Sequence, residues 1–179
     1  TFLLDEDIDT GHILLQRETD ILPEDDFGTL YYKLAESGRT LTIDTVELLR
    51  TGRAQPKPQK PAGEPKTAPK IFKPDTLVRW TRSAQEMANY VRGLSPVPGA
   101  YTLLWTKEEA MPLKIYKASV TDIPTEGYYG QIRIDGKRLL AGCSDFFVEL
   151  LEVQPEGKKR MSAVDFLNGF RPAGDERFL

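Results

Sequence analysis

The sequence predicts an α+β protein in two blocks: a first block of short strands and helices, and a second built as a small closed β-barrel with flanking helices. Three observations predict this. Six of the thirteen prolines crowd between Pro56 and Pro74 and divide the chain. Apolar residues at helical spacing occur on both sides of that divide. Beyond it, five short strand-like runs follow one another between Tyr101 and Val153. The 179 residues, 20.2 kDa, suffice for one medium domain or two small ones.

The first block opens with Phe2-Leu3-Leu4, an acidic turn from Asp5 to Gly11, and Ile13-Leu14-Leu15. Two apolar runs around a Gly-containing turn predict strands joined by a tight loop. Both runs read as central strands of a larger sheet. Asp26 caps a predicted helix carrying Phe27, Leu30, Tyr31 and Leu34, with Gly38 at its C′ position. A second helix follows, with Leu41, Val46, Leu48 and Leu49 apolar and Gly52 as its stop. Such a block buries too little apolar surface to stand alone. The stretch from Gln55 to Lys66 has no apolar period, and proline removes backbone donors, so an extended connector without helix or sheet is predicted.

In the second block Ser83 and Glu86 form a capping box, and Ala84, Met87, Val91 and Leu94 line one helix face ended by Pro96 and Pro98. The predicted strands are Tyr101–Trp105, Leu113–Val120, Gly130–Ile134, Arg138–Ala141 and Phe146–Val153, with Asp135-Gly136 as a hairpin turn. Their number and length suit a five-stranded barrel such as an OB-fold, with a small open sandwich as the competitor. Ser162 and Asp165 form a second capping box, and Gly169 stops that short helix.

Charge and composition narrow the function. No apolar run reaches the roughly 20 residues of a membrane-spanning helix. A lone Cys143 and a lone His12 leave neither a disulfide framework nor a Cys/His metal set, so no metal is expected. The net charge of −3 hides an asymmetry. Residues 1–50 carry −8, residues 51–73 carry +5, and the remainder is neutral. A basic strip of that kind points to a polyanion, or to a linker kept soluble by lysine. The chain opens with Thr1 and has no basic leader, which reads as a fragment of a longer protein.

Six stretches together carry a family resemblance. They are Asp9-Thr-Gly-His-Ile-Leu14, Leu30-Tyr-Tyr-Lys-Leu-Ala35, Thr67-Ala-Pro-Lys-Ile71, Arg92 to Ala100, Leu113-Lys-Ile-Tyr-Lys-Ala118, and Gly157-Lys-Lys-Arg-Met161 running into Asp165-Phe-Leu-Asn-Gly169. In this order and spacing the chain resembles the C-terminal part of the methionyl-tRNA formyltransferase family. The resemblance implies residues 1–53 as the end of a Rossmann-like formyltransferase domain, 54–73 as a linker, and 74–179 as an OB-like tRNA-binding domain. It implies a cytoplasmic enzyme that moves a formyl group from 10-formyltetrahydrofolate to the methionine amino group of initiator methionyl-tRNA. The family's catalytic set is an Asn and a His in an Asn-x-His motif plus the Asp of the Asp-Thr-Gly turn. Here only that Asp matches, as Asp9, and no Asn-x-His motif occurs, so these 179 residues alone are expected to be inactive.

Formyl transfer needs an amine freed of its proton, an electrophilic carbonyl and a stabilised oxyanion. A carboxylate suits the first task and orients an imidazole. Taken alone, Asp9 is one of four acids in a solvated turn; the resemblance makes it the catalytic carboxylate. Thr10 and Gly11 shape the turn, Gly11 through positive φ or close backbone approach. His12 stands where the family often has an acid and reads as a surface residue.

Lys66, Lys70, Lys73, Lys158, Lys159 and Arg160 are the candidate tRNA-binding residues, since each neutralises phosphate and releases counterions. Lys57 and Lys60 share the linker, and Arg79 replaces a family acid before Trp80. Trp80, Trp105, Tyr116 and Phe147 read as core residues before stacking platforms. Asn89 and Arg92 read as packing residues or as residues that hold the linker, and Cys143 as a buried small apolar residue. Two further classes fit the pattern: a relative acting on a sugar nucleotide or joined to a folate dehydrogenase, and a non-enzymatic nucleic-acid-binding module. An incomplete first sheet with open edges predicts self-association.

Overall fold

The computed structural model describes residues 1–59, 63, 67–106, 109–170 and 176–179. They fall into two compact units, Thr1–Asp25 with Thr29–Lys70, and Asp26–Gly28 with Ile71–Leu179.

In the first unit the two apolar runs meet only through single bridges. Phe2 pairs with Ile13, and Ile13 pairs on with Lys57. The predicted strands are thus one-residue ladders. The proline-rich stretch, read as free of sheet, contributes Lys57 to this ladder: Ile13 N donates to Lys57 O at 2.8 Å and Lys57 N to Ile13 O at 2.9 Å. A proline on each side of Lys57 leaves its own N–H free to donate, so one residue pairs where a longer strand cannot form.

The two predicted helices are one, α1 (Phe27–Arg50). Gly38 lies in its interior rather than at a C′ position. No proline follows Gly38, and Glu36 and Arg39 bridge the position as an (i, i+3) pair, Nη2–Oε1 2.5 Å. Gly52 does end the helix. Its φ is +66°, Gly52 N donates to Leu49 O and Arg53 N to Leu48 O, which is a Schellman ending. At the helix start the buried acid is Asp25, neighbour of the predicted cap Asp26. It accepts from Leu22 N at 2.8 Å, Thr29 Oγ1 at 3.1 Å and Lys33 Nζ at 2.6 Å. The Lys33 ammonium, then the Leu22 amide, hold its carboxyl below the usual carboxylate range.

The second unit is a curled antiparallel sheet with helices against it. A 3-10 turn (Lys73–Thr76) leads to α2 (Ala84–Leu94). Ser83 Oγ accepts from Glu86 N, and Glu86 Oε2 accepts from Ser83 N at 3.0 Å, completing the predicted capping box. Ala84, Met87, Val91 and Leu94, the predicted face, are all buried.

The strands are β1 (Ala100–Trp105), β2 (Ala110–Pro124), β3 (Ile132–Asp135), β4 (Arg138–Gly142), β5 (Phe146–Pro155), β6 (Met161–Ser162) and β7 (Arg177–Phe178). The five predicted strands are present, and β6 and β7 are additional two-residue pieces. The β3–β4 turn is Gly136-Lys137, one residue beyond the Asp-Gly reading, with φ +61° at Gly136. The sheet order is β3-β4-β5-β2-β1-β7, with β6 beside β5. The long β2–β5 ladder shifts register near Tyr116 and again between Val120 and Pro124, and bulges of this kind bend a sheet. The two ends of the sheet meet through Gln131 and Arg177, where Phe178 N donates to Gly130 O at 2.8 Å.

The core runs from Trp80, Met87 and Val91 to Leu113, Ile115, Leu139, Val148, Val153 and Phe178. Helix α3 (Ala163–Gly169) covers it with Ala163 and Phe166; Ser162 Oγ accepts from Asp165 N at 3.0 Å, one half of the predicted capping box, and donates to Asp165 Oδ2 at 2.7 Å.

Candidate functional site

The Asp-Thr-Gly turn belongs to the first unit. Asp9 is exposed and holds φ +59°, the left-handed conformation that Asp and Asn tolerate better than most non-glycine residues. Thr10 Oγ1 donates to Asp5 Oδ1 at 2.6 Å and lies 3.2 Å from Asp7 O. Gly11 is buried, and a Cβ there would lie 1.5 Å from Leu3 O. Close backbone approach is therefore what Gly11 supplies, while the positive φ falls on Asp9. His12 is exposed, as expected, and its carbonyl accepts from Leu3 N.

A residue that sequence reasoning missed completes this turn. Gln59 Nε2 donates to Asp9 O at 2.9 Å and to Gly11 O at 2.8 Å. Nothing local marks Gln59, which stands 48 positions beyond Gly11 in the stretch read as a linker.

The basic candidates divide differently. Lys66 and Lys60 lie outside the described residues. Lys70 is exposed at the end of the first unit. In the second unit Lys73 lines an open groove of about 700 Å³, together with Phe72, Tyr101, Lys114, Gln154 and Glu156. Lys114, which sequence reasoning passed over, donates through Nζ to Pro98 O at 3.2 Å. An ammonium has two further donors to offer. Part of the same groove's lining is the stretch from Gln154 to Gly157, which enters the β5–β6 turn. Gln154 Nε2 donates to Lys158 O at 2.8 Å, and Lys158 N donates to Pro155 O at 3.1 Å, so the exposed Lys158 and Lys159 ride on a turn fixed at the groove's edge.

Arg160 differs from these lysines. Its guanidinium pairs with Glu152 and lies 4.5 Å over the ring of Tyr116. Tyr116 in turn donates to Gln154 Oε1 at 2.7 Å. Arg160 thus orders the groove wall, with part of its charge already offset. Among the aromatic candidates Trp80 and Phe147 are core, Tyr116 is half-buried beneath Arg160, and Trp105 is 43% exposed. Arg92 lies near Asn89, with Nη2 3.2 Å from Oδ1. Cys143 is buried, and burial, then the Asp145 charge, push its thiol up to about 12, far from a thiolate nucleophile. Among the described residues no group of three or more His, Cys, Asp or Glu converges as a metal site, and no helix is long and apolar enough to cross a membrane.

Residues 70–171, the 3-10 turn, both groove walls and α3 included, match the family described as "Formyl transferase, C-terminal domain". The chain belongs to this family. Its similarity extends beyond the matched residues. It is 37% identical over 181 residues to methionyl-tRNA formyltransferase of Porphyromonas gingivalis, covering 98% of this chain and 56% of that protein. It is 42% identical over 173 residues to the enzyme of the same name from Koribacter versatilis, covering 96% and 53%. This member of the formyl transferase C-terminal family therefore spans about half the length of the curated relatives it matches. Among solved structures, HypX from Aquifex aeolicus aligns over 93% of this chain and 30% of its own, with TM-score 0.64 and 17% identity. A second HypX structure, in complex with tetrahydrofolic acid, aligns with TM-score 0.63 and 18% identity over 93% of this chain and 29% of its own. At that identity the likeness is one of fold.

Proposed function

We propose that the chain is part of a methionyl-tRNA formyltransferase, which transfers a formyl group from 10-formyltetrahydrofolate to the methionine amino group of initiator methionyl-tRNA in the cytoplasm. The observation that carries this reading is 35–42% identity, along 94–100% of the chain, to proteins of that name. Residues 1–53 are then the end of a Rossmann-like catalytic domain, 54–73 a linker, and 74–179 an OB-like tRNA-binding domain. Exposed Tyr31, Leu34, Ile43, Val46 and Leu49 along α1 support an unfinished first domain. The Gln131–Arg177 bridge, which joins the sheet's two ends, supports a barrel. The same unfinished sheet predisposes this fragment to self-associate, which light scattering checks; a clean monomer overturns that part.

In the reaction the amine nitrogen attacks the formyl carbon, the bond from that carbon to folate N10 breaks, and the proton leaving the amine balances the one N10 takes up. Asp9 is the carboxylate that receives or orients that proton, on a turn that projects it to solvent. An amide and an imidazole from an Asn-x-His motif polarise the formyl carbonyl. These 179 residues hold no such motif, so on their own they are inactive. Lys66, Lys70, Lys73, Lys158 and Lys159 contact the tRNA backbone, with Arg160 ordering the wall beside Lys158 and Lys159.

The test is the intact gene product assayed with methionyl-initiator tRNA and, separately, with an amino-sugar nucleotide. Formylation of the tRNA alone is expected, and Asp9→Asn lowers its rate by about a hundredfold or more. Activity on the sugar nucleotide alone, or a fully active Asp9→Asn, overturns the reading. Replacing Lys70, Lys73, Lys158 and Lys159 together by Ala weakens tRNA affinity and reduces the slope of log affinity against log salt by about 0.9 per lost duplex phosphate contact. An unchanged slope removes these lysines from the interface.

A further inference from the structure

We infer that Gln59 is a positioning residue for Asp9, holding the turn that carries the catalytic carboxylate from a point 50 residues along the chain. The inference rests on the reading of Asp9 as a participant in formyl transfer. Asp9 keeps φ +59° without being glycine, a conformation less favourable than the right-handed one even for Asp, which bonds to the turn help to hold. Thr10 ties the turn from within, and Gly11 seats it on Leu3 O. Gln59 ties it from outside, bonding the carbonyls of Asp9 and Gly11 and so clamping the Asp9–Thr10 and Gly11–His12 peptides.

The orientation of the amide follows from its partners. Both are carbonyl oxygens, which only accept, so the atom facing them is nitrogen, and its two N–H groups match the two acceptors. The side chain is delivered to the turn by its neighbour Lys57, whose backbone pairs with Ile13 through both of its polar groups. A carboxylate in place of the amide would set an oxygen against two carbonyl oxygens. An alanine would leave both carbonyls without this donor.

The experiment uses the full-length gene product. Gln59→Glu and Gln59→Ala are each expected to lower kcat by about ten- to a hundredfold while the KM for methionyl-tRNA stays within about twofold, because a displaced catalytic group loses rate without losing binding. Each variant is then combined with Asp9→Asn and followed under single-turnover conditions. If Gln59 acts through Asp9, the second change costs no further rate. Unchanged kcat in Gln59→Glu and Gln59→Ala beside a crippled Asp9→Asn overturns the inference alone. So does an equal loss from Gln59→Ala in the Asp9→Asn background, or a rise in KM that accounts for the whole effect. A fully active Asp9→Asn overturns the reading of Asp9 and this inference with it. Should Gln59→Glu fold poorly by circular dichroism, the uncharged Gln59→Ala carries the comparison.

Discussion

At the scale of the residue, a glycine and an acid exchange their expected parts. Gly11 is needed because Leu3 O occupies the space where a Cβ would be, only 1.5 Å away. Gly11→Ala cannot be relieved by rotating a side chain, since the obstacle is backbone. We expect it to destabilise the first unit by about 1–3 kcal/mol, the usual cost of overpacking, and to displace Asp9. Urea unfolding of these 179 residues, with the wild type alongside, measures this; equal midpoints would contradict it. The acidic turn and its glycine were legible as a turn, because Gly between two apolar runs is a local signal. That the positive φ sits on Asp9 was not legible, since the groups that meet the turn, Leu3 O beside Gly11 and Gln59 on the Asp9 and Gly11 carbonyls, come from outside it. The basic residues follow the same rule. Their charge can be counted in sequence, but the pairing of Arg160 with Glu152 and the alignment of Lys114 on Pro98 O are products of the fold.

At the scale of the element, α1 shows how a local stop signal loses to its context. Gly38 resembles a helix end, yet Thr42 Oγ1 donates back to Gly38 O at 2.8 Å and the helix runs on to Arg50. Open space surrounds Gly38, and its φ is not positive. Gly38→Ala therefore stabilises α1 by up to about 1 kcal/mol, the helix-interior difference between the two residues. A lower urea midpoint in that variant would show that the interior assignment is wrong. Helix α2 was legible to the residue, because capping box and apolar face agree. Its anchor from another element was not: Asp145 Oδ1 accepts from Ala84 N at 2.7 Å and from Phe146 N at 2.7 Å. The Ala84 amide first, opposed by burial and reinforced by the Phe146 amide, holds the Asp145 carboxyl below the usual carboxylate range. A carboxyl depressed in the folded state adds stability above its unfolded pKa, and that stability is lost as pH falls through the folded value. The second unit should thus weaken from about pH 4 downward, and Asp145→Ala should flatten that acid limb. Thermal melts across that range check it, with an identical acid slope in the variant as the contrary outcome.

At the scale of the whole molecule, what the sequence hides is the short strand that joins the sheet's two ends. Five strands were readable from their β-branched and aromatic runs, but two residues near the chain's end, Arg177 and Phe178, carry too little pattern to announce a strand. Their importance comes from what they join. Phe178 is 2% exposed, stacks on Trp80 with ring centroids 5.3 Å apart, and passes its N–H to Gly130 O. Gly130 holds φ +73°, and a Cβ there would lie 2.0 Å from Phe178 O, so the approach depends on glycine as well. Behind the stack, Trp80 Nε1 donates to Thr102 Oγ1 at 3.0 Å and Thr102 Oγ1 donates to Leu179 O at 2.8 Å, tying the last residue to β1. Phe178→Ala removes a buried ring and the stack while leaving the backbone bonds possible. It should cost the second unit about 3–5 kcal/mol. Trp80 reports the event directly: its emission moves toward that of a solvated indole at a lower denaturant concentration than in the wild type, while the exposed Trp105 contributes a nearly constant background. A Phe178→Ala protein with unchanged midpoint and unchanged Trp80 emission would mean that the sheet holds its curl without its last strand.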